Sequence, residues 1–98
     1  CAPCQTMSAY MAFLAEDFSS RVLVTALDVD ENPATTARYA IMGLPTLLAI
    51  HRGEEVARRV GIEGYETLVA WVEDMLAHTD QDRPTVVADM EHGSAKII

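Results

Sequence analysis

Apolar residues recur at helical spacing near the start of the chain. Cys4, Met7, Met11, Leu14 and Phe18 fall on one stripe, with Tyr10 beside it. That stripe predicts an amphipathic helix over residues 4–18, and Pro3 suits its first turn. The pattern then changes. Residues 21–29, RVLVTALDV, are a β-branched apolar run of strand length, suited to burial on both faces. Asn32-Pro33 predicts a second, short helix to about Tyr39 or Ala40, with Asn32 as its cap and Pro33 at its first position. Residues 46–51, TLLAIH, and 54–60, EEVARRV, read as two strands joined by Arg52-Gly53, where glycine tolerates positive φ. The arginines of the second suit an exposed edge strand. Tyr65, Leu68, Val69, Val72, Met75 and Leu76 mark a helix over 64–77. A polar linker, 78–83, leads to PTVVADM, residues 84–90, which reads as a short strand.

The chain has 98 residues, enough for one small domain, and half are hydrophobic. Formal net charge is −8 with seven Lys and Arg, so the basic footprint of a nucleic-acid binder is missing. Anionic membrane surfaces are set aside on the same ground. No apolar run approaches the roughly 20 residues of a membrane-spanning helix. The chain opens on Cys1 rather than Met, so residues were removed or it is a piece of a longer chain.

Candidate chemistry sits at that opening, Cys1-Ala2-Pro3-Cys4. A C-x-x-C pair closes too small a loop to be a strong structural staple. It suits a reversible disulfide, which a reducing cytosol permits, and a cytoplasmic setting is expected. A thiolate at a helix start is stabilised by backbone N–H groups and the helix dipole, and a second thiol one turn in can attack. The bland reading is half of a zinc site. Zinc usually takes four ligands, and only His51, His78 and His92 could assist; the histidines are read as plain surface residues. The run DVDEN, 28–32, fails a calcium loop, with Pro33 at position six and Tyr39 at position twelve. It reads as a solvated loop. Trp71 and the methionines at helical spacing read as core. No metal and no bound cofactor are expected.

CAPC in front, LDVDENP, and YAIMGLPTLLAIHRGEEVARRVG together resemble the thioredoxin family, over roughly residues 1–77. The resemblance implies an α/β fold, a thioredoxin-like mixed sheet flanked by helices, here N-terminally truncated. Residues 1–78 form the partial domain and 79–98 a C-terminal tail. It implies thiol–disulfide exchange in the reducing direction, with Cys1 as nucleophile and Cys4 as resolving thiol. It implies a cis peptide between Leu44 and Pro45. Ala2, Pro3, Gly43, Leu44, Pro45, Val60, Gly61 and Ile62 become the substrate-binding set, with Val29 either beside them or in the core. Partners are disulfide-containing proteins and an NADPH-linked flavoprotein reductase. The competing reading is a truncated interaction or structural module with little catalysis. A lipoprotein beginning at a lipidated Cys1 is a lesser alternative, since lipidation consumes the nucleophile.

The family's strand–helix–strand ahead of the motif is missing here, and with it the Trp before the first cysteine and the buried acid that assists proton transfer. Ala26 stands where a lysine often lies near that acid. The lost strand belongs in the middle of the sheet, so two apolar edges would stay unpaired. The tail 84–90 either fills that position or pairs with a second copy, as a homodimer or strand swap. Otherwise it is a frayed extension.

Overall fold

Pro3 and the Cys4–Met7–Met11–Leu14 stripe build α1, Ala2–Asp17, in the computed structural model, which describes residues 2–92. All four stripe residues are buried, and each large apolar one contributes roughly 2 kcal/mol by leaving water. The helix ends where Arg21 N and Val22 N both turn back to the Phe18 carbonyl. The chain continues as β1 (Val22–Asp28), α2 (Pro33–Arg38), β2 (Thr46–His51), β3 (Glu54–Val60), α3 (Tyr65–Ala77) and β4 (Thr85–Glu91).

The four strands form one mixed sheet in the order β1-β4-β2-β3. β4, latest in sequence, therefore lies inside. It runs parallel to β1, from Val22↔Thr85 to Asp28↔Glu91. It runs antiparallel to β2, from Ile50↔Val86 to Thr46↔Met90. Its edges are thereby both satisfied, as a β-rich apolar run requires. β3 is an outer edge, and its arginines carry ion pairs, Arg58 Nε to Glu55 at 2.8 Å and Arg59 Nε to Glu63 at 2.7 Å. Arg52 and Gly53 make the β2–β3 turn with φ of 53° and 81°.

Strand alternation separates two cores. On one face α1 and α3 cover Val22, Leu47, Ala49 and Val87. On the other Leu48, Ala88 and Met90 gather Leu27, Val29, Tyr39, Ile41 and Leu44. Val29 thus belongs to the second core.

Two details differ from the sequence reading. Asn32 sits at the α2 cap position without a side-chain capping bond. Its amide instead donates to the Asp28 carbonyl at 2.9 Å, because the tight 28–32 loop presents that acceptor first. His51 is not a surface residue but buried. The Thr85 hydroxyl donates to its Nδ1 at 3.2 Å, and its Nε2 lies 3.2 Å from Asp80. An ionised carboxylate only accepts, so Nε2 carries the ring proton. Arg52 Nε closes the group on Asp80 at 2.8 Å and holds the Asp80 carboxyl well below the usual carboxylate range, with help from His51.

Candidate functional site

Cys1 lies outside the described residues. Ala2 and Pro3 are exposed on the first turn of α1, and Cys4, 3% exposed, points inward on the stripe. The helix period dictates this: a residue three before Met7 and seven before Met11 shares their face.

The second part of the site is the loop before β2. Gly43, Leu44 and Pro45 bring the chain into that strand, and the Leu44–Pro45 peptide is cis. The Thr46 hydroxyl donates to the Gly43 carbonyl, drawing the turn tight. Gly61 N donates to the Pro45 carbonyl at 2.8 Å, which joins this loop to the end of β3. Gly61 has φ of +89°, a conformation glycine adopts without strain. A Cβ on Gly43 would stand 3.1 Å from Val60 Cγ1, so the two segments touch closely. Gly43, Leu44, Val60 and Gly61 are thus one surface, with Ile62 following, while Pro45 between them is itself buried. Val60 is 59% exposed and Met42 beside them 94% exposed, so the surface is apolar and open.

A third element lies beneath α1. Thr85, Val87, Asp89 and Glu91 alternate onto the α1 face of β4, where Val87 joins the core. Asp89 is completely buried. Its register neighbours are Ala26 on β1 and Leu47 on β2, both apolar, and neither carboxyl oxygen has a hydrogen-bond partner. Burial, then the adjacent Glu91, push the Asp89 carboxyl up to about 8. Glu91 is also buried, and it accepts a hydrogen bond from Ser8 on α1 at 3.0 Å. Ser8 lies one turn after Cys4. Continuing the β2–β4 register one step past Thr46↔Met90 brings Glu91 alongside Pro45.

The sequence reading held that this chain lacks a buried acid. The structure corrects it: the acid comes from the tail, on the strand that enters the sheet from the other end. The signal was present in PTVVADM, where Asp89 alternates with Val87 in an apolar strand-length run. Ser8, Glu91 and His51 carried no comparable signal, since polar residues on a half-polar helix or at a strand end are ordinary.

The family model described as Thioredoxin matches residues 1–74. A thioredoxin of Staphylococcus saprophyticus is 37% identical over 76 residues, covering 78% of this chain and 73% of the relative. One from Staphylococcus epidermidis is 40% identical over 68 residues, covering 69% of this chain and 65% of the relative. One from Alicyclobacillus acidocaldarius is 38% identical over 76 residues, covering 78% and 72%. The chain so spans between 65% and 73% of the length of these relatives. The family match stops before β4, so the strand bearing Asp89 lies outside it.

Proposed function

This chain belongs to the thioredoxin family, whose members are thiol–disulfide oxidoreductases, and we propose that it reduces protein disulfides by dithiol–disulfide exchange at Cys1 and Cys4. The Cys1 thiolate attacks a substrate disulfide. One substrate sulfur leaves as a thiolate and takes a proton from solvent, and a Cys1–substrate mixed disulfide forms. Cys4 then gives up its proton and attacks the Cys1 sulfur. The Cys1–Cys4 bond forms, the mixed disulfide breaks, and the second substrate thiol departs. Two electrons have passed from the cysteine pair to the substrate.

The observation that carries this reading is the buried, unpartnered Asp89 carboxyl under the helix whose inner stripe holds Cys4. A buried thiol resists ionisation and needs a proton acceptor on the dry side. Asp89 is placed on that face. Ala2, Pro3, Gly43, Leu44, Val60, Gly61 and Ile62 form the docking surface around the buried Pro45, where backbone groups pair with an extended segment around the disulfide and the apolar side chains cover it. A flavoprotein reductase returns the electrons in a cytoplasmic setting.

Insulin reduction with dithiothreitol as donor tests the activity. Turnover above dithiothreitol alone is expected, with Cys4→Ser trapping mixed disulfides through Cys1 and Cys1→Ser trapping none. Absence of both turnover and trapping would overturn the reading.

A further inference from the structure

We propose that Met42 is a peroxide-modification site that controls the docking surface: conversion of its thioether to the sulfoxide weakens the seating of an extended, apolar substrate segment. The control of docking rests on the reading of Gly43, Leu44, Val60 and Gly61 as the surface where substrate binds.

The chain has five methionines, and four are packed away. Met7, Met11 and Met75 lie in the core that α1 and α3 cover, and Met90 in the second core, none more than 6% exposed. Met42 is 94% exposed. A peroxide must touch the sulfur to oxidise it. Packing therefore shields the four and leaves Met42 open to attack.

The local backbone enforces that exposure. Ile41 N donates to the Thr36 carbonyl at 3.1 Å, and the Ile41 side chain packs with Leu44 on the second core. On the other side, the Gly43 carbonyl accepts the Thr46 hydroxyl. Met42 is thus held at both flanks while its own side chain stands in solvent. Its neighbours are other apolar groups that the fold leaves in water. Gly43 follows it in the chain and approaches Val60, and Val60 and Ile62 are themselves exposed. An unbranched thioether beside them adapts to segments of varied shape.

The chemistry balances with peroxide as the oxidant. A sulfur lone pair attacks one peroxide oxygen, the S–O bond forms and the O–O bond breaks. The proton on the new S–OH passes to the departing hydroxide, which leaves as water. Sulfur loses two electrons and the peroxide gains them. The sulfoxide accepts hydrogen bonds and donates none, so an apolar segment laid over it strands a strong acceptor. No cysteine takes part, so the change acts on binding and not on exchange. A sulfoxide reductase reverses it.

Hydrogen peroxide applied to the disulfide form, in which the thiols are already spent, tests the site. Peptide mass spectrometry should find Met42 oxidised about tenfold faster than Met7, Met11, Met75 or Met90. Equal rates, or a slower Met42, overturn the proposal. After removal of peroxide, insulin reduction with dithiothreitol as donor should show KM raised about fivefold at unchanged kcat. The urea midpoint should stay where it was, which separates lost docking from lost folding. Met42→Gln, which puts a polar acceptor there without peroxide, should raise KM in the same way. In Met42→Leu the treated and untreated proteins should share one KM. A wild-type KM unmoved by oxidation of Met42, or a Met42→Leu that still responds to peroxide, overturns the control of docking. Loss of turnover in the untreated protein is instead a failure of the exchange reading, and the peptide map, which needs no activity, then decides the modification site by itself.

Discussion

His51 Nδ1 accepts the Thr85 hydroxyl at 3.2 Å, a buried contact between the end of β2 and the first residue of β4. It ties the strand that completes the sheet to the hairpin it must meet. His51→Ala removes the acceptor and leaves Thr85 buried without a side-chain partner. A loss of about 2 kcal/mol is expected, read as a lower urea midpoint at unchanged slope. Arg52→Ala, on the exposed side of the same group, should move the midpoint by about 0.5 kcal/mol or less.

Truncation after His78 removes β4. β1 then loses its partner within the described sheet, β2 loses one edge, and Val87, Ala88 and Met90 leave the two cores. The truncated chain should show no cooperative unfolding in calorimetry. A monomeric product with wild-type stability would contradict the placement of β4.

Asp89 gives stability an inverted pH dependence. Its carboxyl ionises near 3.8 when unfolded and at about 8 when folded. Between those values the folded state holds a proton that the unfolded state has released, so stability is full below pH 4 and falls as pH rises toward 8. The slope reaches about 1.4 kcal/mol per pH unit for one proton. Asp89→Asn should flatten that window and be the more stable protein at pH 7, while slowing the resolving step. Urea midpoints at pH 5, 6, 7 and 8 on both proteins check this; parallel curves refute it.

Gly61→Ala forces a side chain onto φ of +89°. Open space surrounds the added methyl, so the cost is backbone strain alone, about 1 kcal/mol. Gly43→Ala differs: its methyl meets Val60 at 3.1 Å, and the exposed Val60 can turn aside. Thermal unfolding of the two should rank Gly61→Ala as the more damaging.

The elements were legible because each is carried by local period. Met7, Met11 and Leu14 announce α1, and TLLAIH announces β2 to the residue. What could not be read was which of the open alternatives places β4, since a strand's neighbours lie far off in sequence and apolar alternation names none of them. PTVVADM puts Asp89 on the Val87 face of a strand, but its burial follows only from the strand's place between Ala26 and Leu47. His51 was misjudged because its partners, Thr85 and Asp80, come from the linker and strand about 30 positions later. The Asn32 cap failed locally, through competition from the Asp28 carbonyl.

A nascent chain meets this architecture in an awkward order. Of the pairings in the sheet, only the β2–β3 hairpin joins segments made in succession. β1 is synthesised early, yet its neighbour β4 emerges after α3. Until then the β4-facing edge of VLVTALD, which has no proline or lysine to guard it, waits unpaired. Folding must therefore be late and largely all at once, with long loop closures raising the barrier. A ribosome paused in the 78–84 linker would hold a species that chaperones bind and that sticks to its neighbours.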